Sequence, residues 1–235
     1  MKKVIHKSDT RGHANHGWLE SFHSFSFANY YNPNRMNFGL LRVLNDDSVA
    51  AGRGFGAHPH DNMEIISIPL EGDLEHQDNM GNKTVIKSND VQIMSAGTGV
   101  VHSEYNPSRE DAVKFLQIWV FPKERNIKPR YAQKTFAPAD RENKLQVVVS
   151  PEDEEAVWIN QDAYFSLGKF EAGKTVDYEI QKNGNGAYIF VLEGKVEVAG
   201  EVYDKRDAVG VWDTDKVNIK AAENANFLVI DVPMK

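Results

Sequence analysis

Three histidines and one glutamate form two short patterns that could bind a metal ion. His58 and His60 flank a single proline, and His102 and Glu104 flank a single serine. In a β-strand, residues two apart point to the same face, so each pattern presents two ligands side by side. Two neighbouring strands would then present three imidazoles and one carboxylate. This set suits iron, nickel, copper, manganese or zinc and leaves open positions on an octahedral ion, which predicts a reactive metal centre.

Glu64 is the alternative carboxylate for this centre. It lies four residues beyond His60, which is about 13 Å along an extended strand. Glu64 therefore needs a bend in the chain to reach the same ion, whereas Glu104 does not. We expect Glu64 to orient a ligand imidazole instead.

Few other side chains could bind metal. The chain has no cysteine, which excludes thiolate ligands, thiolate nucleophiles and disulfides. All eight histidines lie within the first 102 residues. Those expected to be structural or to support the ligands are His13, His16, His23 and His76. His6 is expected to be solvent-exposed.

Short strands surround these patterns. Runs of four to eight residues are rich in β-branched and aromatic side chains and are bounded by Gly, Pro, Asn or Asp. The predicted strands cover residues 40–44, 64–70, 91–94 and 114–120. The sequence Asn45-Asp46-Asp47 after the first run is typical of a turn. Helical periodicity over more than ten residues is hard to find, so we predict an all-β barrel or sandwich.

The second half of the chain repeats the first weakly. Residues 68–75 resemble residues 190–197, and both segments contain Leu-Glu-Gly, which is typical of a strand end and a tight turn. The repeat predicts two similar β-domains. We place an N-terminal metal-binding domain at residues 1–125 and a C-terminal domain at residues 126–235.

The repeat also makes the position of the histidines informative. When the two halves are aligned, the positions of His102 and Glu104 correspond to Ile219 and Ala221. The second half keeps the turns and loses the ligands. We therefore expect the C-terminal domain to close or shape the site without binding a metal of its own.

Composition narrows the classes of function. With 41% hydrophobic residues in 235, the chain can bury a substantial core. Its formal net charge of −7 and its lack of a basic cluster argue against a nucleic acid partner. No apolar run has membrane-spanning length, and no apolar stretch follows the basic start. We expect a cytoplasmic location and a monomer.

Two segments resemble the motifs of the cupin superfamily. Residues 52–64 contain a glycine, five residues, His-x-His and a glutamate, and residues 99–106 contain a glycine, two residues, a histidine, three residues and an asparagine. More narrowly, the chain resembles the pirin family of bicupins, especially the bacterial members that act as quercetin 2,3-dioxygenases. The residues that carry this resemblance lie at 11–18, 25–28, 55–60, 70–72, 75–78 and 95–99.

The resemblance implies two tandem jelly-roll-like cupin barrels, with the metal in the N-terminal one. It implies one divalent ion bound by His58, His60, His102 and Glu104. Iron is the expected ion, with zinc, copper, nickel, manganese or cobalt as alternatives. It also implies a dioxygenase that cleaves flavonols such as quercetin with O2. Because Glu104 would lie on the metal next to the proton of the substrate hydroxyl, we expect it to act as base as well as ligand. Candidates for the apolar lining of the site, several of which we expect to belong to the ordinary core, are Phe25, Phe27, Phe38, Phe55, Met63, Met94 and Trp119.

A second function follows from the eukaryotic members that this chain resembles. Those proteins are metal- or redox-sensitive binding partners of regulatory proteins. In that case the metal would tune a protein surface, with weak or no turnover. The acidic composition gives no direct support for an assembly on DNA.

Overall fold

A computed structural model describes all 235 residues of the chain, and strands dominate it. The strands, numbered in chain order, are β1 (Lys2–His6), β2 (Gly12–Asn15), β3 (Leu19–His23), β4 (Leu41–Val49), β5 (Gly54–His60), β6 (Glu64–Glu71), β7 (Leu74–Asp78), β8 (Lys83–Ile86), β9 (Asp90–Ser95), β10 (Val100–Tyr105), β11 (Val113–Val120), β12 (Arg130–Thr135), β13 (Leu145–Val149), β14 (Tyr164–Phe170), β15 (Thr175–Glu179), β16 (Asn185–Glu193), β17 (Val196–Val198), β18 (Glu201–Tyr203), β19 (Ala208–Trp212), β20 (Lys216–Ala221) and β21 (Ala225–Pro233). Two short 3-10 helices cover Ser8–Thr10 and Pro138–Arg141. None of the helices has the length and apolar character needed to cross a membrane.

Each half of the chain forms one large and one small antiparallel sheet. In the N-terminal half the large sheet has the order β12-β9-β6-β11-β4-β3-β2, and the small sheet has the order β5-β10-β7-β8. In the C-terminal half the orders are β1-β19-β16-β21-β14-β13 and β15-β20-β17-β18. The matching strand orders confirm the predicted all-β fold of two cupin barrels.

Two strands pair with the barrel on the other side of the predicted domain boundary. β1 pairs with β19 of the C-terminal barrel, although it begins the chain. β12 follows residue 125 in sequence and pairs with β9 of the N-terminal barrel. The division into residues 1–125 and 126–235 stays a prediction. Each barrel contains one strand from the other side of this division.

The apolar cores show where the metal centre can lie. The largest, with 26 buried residues, combines side chains from the large sheets of both barrels. A second core of 16 buried residues fills the C-terminal barrel. The N-terminal barrel holds only two small clusters, of five and three buried residues. Its interior is therefore available to polar side chains.

Two sequence predictions need correction. β4 continues through Asn45, Asp46 and Asp47, which we had expected to form a turn. The three residues fit a strand because their side chains find partners or burial in the folded protein, which outweighs their low strand propensity. Phe25 and Phe38, expected to line the site, are buried in the core between the two barrels.

Candidate metal centre

The three predicted histidines meet on one face of the small N-terminal sheet. β10 pairs with β5 in antiparallel register, so that His102 lies opposite His58 and Val100 lies opposite His60. One ring nitrogen from each histidine lies within 4.8 Å of the others. Their ring centroids are 4.4 to 5.0 Å apart. The alternation of strand side chains thus converts two local sequence patterns into one cluster.

The hydrogen bonds leave metal-binding nitrogens free. His58 Nδ1 lies 2.8 Å from the carbonyl oxygen of Gly56. A carbonyl oxygen can only accept, so Nδ1 carries the proton and Nε2 keeps its lone pair. His102 Nε2 is buried and has no hydrogen-bond partner in the protein. Both rings therefore offer the nitrogen that a metal ion needs.

Burial keeps two of the three imidazoles neutral. Burial, together with the neighbouring His58 and His60, lowers the pKa of His102 to about 2. Burial and the neighbouring His58 likewise lower the pKa of His60 to about 4. Metal ions bind the neutral imidazole, so at neutral pH these two rings are already in the binding form.

Glu104 lies beside the histidines as a buried carboxylate. It shares a face of β10 with His102, and the 4.8 Å cluster does not include it. Its oxygens accept hydrogen bonds from Gln117 Nε2 at 2.9 and 3.2 Å and from Ser67 Oγ at 3.1 Å. Burial raises the pKa of Glu104 above its ordinary value.

None of the ion pairs in the chain includes Glu104. A buried carboxylate without a positive partner is unfavourable, and a divalent ion would supply that charge. Together with the free nitrogen of His102, this makes the four residues a fitting set for a metal ion.

A glycine allows the two ligand strands to approach each other next to Glu104. The register between β5 and β10 shifts between His102 and Glu104, so that Glu104 lies opposite Phe55. A Cβ atom on Gly54 would lie 2.2 Å from the carbonyl oxygen of Glu104. Only glycine fits that contact, which explains one glycine of the motif that precedes His58.

Glu64 does not take the role that we predicted. Its Oε2 accepts hydrogen bonds from Ser95 Oγ at 2.7 Å and from the Asn160 amide at 3.2 Å. Its Oε1 has no hydrogen-bond partner, so the carboxylate orients no imidazole. Glu64 instead attaches the segment around Asn160 to the N-terminal barrel.

The other histidines are spread over several environments. His13 and His16 are exposed, and His23 is buried without contact to the cluster. His6 is 6% exposed, which contradicts the expectation that it faces solvent. Strand pairing of β1 with the C-terminal barrel buries it, and the sequence gives no local sign of that pairing.

Two residues that hold Glu104 were not predicted as part of the site. Ser67 and Gln117 lie on neighbouring strands β6 and β11, directly opposite each other. Gln117 was the available signal, because it is a polar residue in the middle of an apolar run. A buried amide in such a strand needs a partner, and here that partner is a carboxylate.

The C-terminal barrel has apolar residues at the positions of the site. Ile219 lies opposite Val176, as His102 lies opposite His58. Ala221 takes the position of Glu104. Both Ile219 and Ala221 belong to the apolar core of that barrel.

Known proteins match the chain along nearly its whole length. Quercetin 2,3-dioxygenase of Escherichia coli K12 is 43% identical over 230 residues, covering 97% of this chain and 98% of that protein. The pirin family model matches residues 4–120. This chain belongs to the pirin family. A model described as the quercetinase C-terminal cupin domain matches residues 147–232 of this pirin.

Further relatives support the same assignment. A pirin-like protein of Caulobacter vibrioides is 42% identical to this pirin over 225 residues, covering 95% of the chain and 96% of the relative. The crystal structure of YhhW from E. coli aligns with a TM-score of 0.94 and 42% identity, covering 99% and 98% of the two chains. A second structure, bacterial pirin YhhW in complex with nickel(II), aligns with a TM-score of 0.93, at 42% identity and 99% coverage of both chains.

Proposed function

We propose that this pirin is a metal-dependent dioxygenase that cleaves flavonols such as quercetin with O2. One divalent ion is held by His58, His60, His102 and Glu104. The observation that carries the proposal is the convergence of three imidazoles beside a buried carboxylate that has no cationic partner. The names of the relatives supply the substrate class, and the nickel complex of YhhW supports a divalent ion. Iron remains the expected ion, and nickel is the first alternative.

In this proposal Glu104 is both ligand and base. A divalent ion, when bound, acts as a Lewis acid that lowers the pKa of a hydroxyl group near it. Glu104 then accepts the proton of the flavonol hydroxyl, because its carboxylate faces the same interior. Gln117 and Ser67 each donate a hydrogen bond to that carboxylate, which fixes its orientation.

Aromatic side chains next to the histidines orient a flat substrate in this proposal. The Trp119 ring is edge-on to His60, with 5.0 Å between centroids, and Phe27 packs edge-on against Trp119 at 5.4 Å. The indole Nε1 is buried and has no hydrogen-bond partner in the protein. This wall excludes water and offers one donor to an oxygen atom of the substrate.

The first test is metal-dependent oxygen uptake. Metal-free protein is loaded anaerobically with Fe(II), Ni(II), Cu(II) or Mn(II) and mixed with quercetin and O2. We expect loss of the flavonol absorbance with matching oxygen uptake. His58→Ala and His102→Ala should lose both metal and turnover, whereas His16→Ala, at an exposed histidine, should keep both. Stoichiometric metal in both of the first two variants would show that the ligands are wrong.

The second test separates the two roles of Glu104. Glu104→Gln keeps an oxygen ligand but loses the base, so it should retain part of the metal and lose at least about 100-fold in rate. The measurement is metal content together with kcat for quercetin. Unchanged turnover would exclude Glu104 as the base. If every metal form is inactive while a metal-dependent protein partner is captured, the binding-partner function gains support.

A further inference from the structure

A buried histidine and a buried aspartate lie behind the candidate ligand His102. β10 lies between β5, which carries two of the other candidate ligands, and β7, which carries His76 and Asp78. In the register of β7 and β10, His102 is opposite Asp78 and Glu104 is opposite His76. The side chains of His76 and Asp78 are both 0% exposed. Nothing in the proposed reaction uses them.

Asp78 is fixed as an acceptor. Its Oδ1 accepts the backbone amides of Met80 at 2.9 Å and Asn82 at 3.1 Å. Its Oδ2 accepts the Asn82 amide side chain at 2.8 Å and lies 3.0 Å from His76 Nε2. Because both oxygens of Asp78 accept hydrogen bonds, the carboxylate is ionised and has no proton to donate to His76. His76 Nε2 therefore carries a proton and donates a hydrogen bond to Asp78 Oδ2.

This assignment determines the tautomer of His102. With its proton on Nε2, a neutral His76 has a lone pair on Nδ1. His76 Nδ1 lies 3.4 Å from His102 Nδ1. His102 must donate from Nδ1 in this contact, which leaves its lone pair on Nε2. That nitrogen is the buried atom with no partner in the protein.

We propose that Asp78 and His76 are positioning residues that fix His102 with Nε2 free for the ion. This inference rests on the proposed metal centre and adds the two residues that fix the tautomer of one of its ligands. The Tyr131 ring packs on His76 with 4.7 Å between centroids and holds the imidazole in place. Such partners behind a ligand histidine typically change metal affinity by about 10- to 100-fold.

The C-terminal barrel supports this unit independently. At the positions that correspond to His76 and Asp78 it has Val196 and Val198, which lie opposite Ala221 and Ile219. Both valines are fully buried. The barrel that lacks the candidate ligands thus also lacks the polar pair, as expected if the pair serves the ligand and not the fold.

Asp78→Asn tests the tautomer directly. The backbone donors of Met80 and Asn82 keep the carbonyl oxygen of the new amide at the Oδ1 position, so its nitrogen faces His76 and the side chain of Asn82. The Asn82 amide then turns over so that its oxygen accepts from this nitrogen. His76 must then accept at Nε2 and hold its proton on Nδ1. His102 is forced to accept at Nδ1 and to hold its proton on Nε2, the nitrogen that binds the ion.

Nickel(II) affinity of the metal-free full-length protein, measured by competition with a chelator, is the first readout. We expect Asp78→Asn and His76→Leu to bind about 10- to 100-fold more weakly than the wild type. His76→Asn should recover most of this loss, because its amide oxygen takes the place of Nδ1 and accepts from His102. Glu20→Gln is the matched control, since it removes the carboxylate from the exposed His13–Glu20 pair at 3.1 Å.

Nitrogen-15 NMR of histidine-labelled, metal-free protein is the second readout. We expect the proton of His102 on Nδ1 in the wild type and on Nε2 in Asp78→Asn. A wild-type His102 with its proton on Nε2, or folded variants that all bind nickel as the wild type does, would overturn this inference alone. A wild type that binds neither Ni(II) nor Fe(II) would overturn the proposed function as well. Thermal unfolding of each variant confirms that it is folded.

Discussion

At the scale of residues, the site depends on a buried carboxylate and the side chains that donate to it. Glu104, Ser67 and Gln117 are all at most 8% exposed. Burying a carboxylate is costly unless donors or a cation compensate it. Gln117 supplies two of the contacts, at 2.9 and 3.2 Å, so it compensates the charge before any ion binds. It thereby keeps the carboxylate ready on the side of the histidines.

Gln117→Met tests this role. The substitution keeps the volume and removes both contacts, so it leaves a buried carboxylate short of donors. We expect the metal-free variant to lose about 1 to 3 kcal/mol of unfolding free energy at neutral pH. Nickel affinity should fall about 10-fold because Glu104 is no longer oriented. Urea denaturation and chelator competition measure the two effects.

Gln146→Met is the matched control for that substitution. Gln146 lies on β13 of the other barrel, and its side-chain oxygen has no hydrogen-bond partner. Replacing it should leave nickel affinity unchanged and unfolding free energy no lower. Equal losses in the two variants would mean that Gln117 matters only for packing.

At the scale of elements, the sequence predicts what is local. The pairs of candidate ligands could be predicted because a strand places residues two apart on one face. The strands predicted at residues 64–70 and 114–120 form as β6 and β11. The turn expected at Asn45-Asp46-Asp47 was wrong. Asp47 is buried against Ser21 of β3, and Asp46 binds two arginines, so distant partners keep these residues in β4.

Contacts between side chains on different strands could not be predicted from the sequence, for the same reason. The roles of Gln117 and His76 depend on which strands become neighbours, and no spacing along the chain states that. β1 is the clearest case. It pairs with β19, more than 200 positions away in sequence. Lys7, the next residue after β1, forms an ion pair with Asp207 at 2.7 Å.

His6 at the end of β1 makes this pairing sensitive to pH. Its Nδ1 lies 2.9 Å from Tyr188 Oη, and its ring packs edge-on against Phe25. Burial, with a smaller contribution from Arg35, lowers the pKa of His6 from 6.5 to about 4. The unfolded chain therefore binds this proton more tightly than the folded one. The stability that the neutral His6 contributes is fully present above pH 6.5 and is lost as the pH falls from 6.5 towards 4.

His6→Asn should remove that part of the pH dependence. The amide can still bond Tyr188 but cannot titrate. Between pH 7 and pH 5 we expect the wild type to lose about 1 to 2 kcal/mol more unfolding free energy than the variant. Urea denaturation at each pH measures the difference, in which the other histidines cancel. His16→Asn, at an exposed position, should follow the wild type. Parallel curves for wild type and His6→Asn would contradict the assignment.

At the scale of the whole molecule, one barrel carries the polar centre and both barrels share the largest core. The interior of the C-terminal barrel is filled by apolar side chains, whereas that of the N-terminal barrel gives up apolar packing for histidines and a carboxylate. The shared core compensates for this by joining the two large sheets. Stability of the centre therefore depends on contacts between the barrels.

A group of three charged side chains lies at the boundary between the two barrels. Asp46 of β4 accepts Arg11 Nη1 at 3.2 Å and Arg206 Nε of the C-terminal half at 2.9 Å, and all three side chains are at most 15% exposed. Asp46→Asn leaves two buried guanidinium groups without their counter-charge. It should lower the unfolding free energy, measured by urea and tryptophan fluorescence, by about 3 kcal/mol. Glu197→Gln, which breaks an exposed pair with Lys220, should cost less than about 1 kcal/mol. Similar small losses in both variants would show that the two barrels do not depend on Asp46.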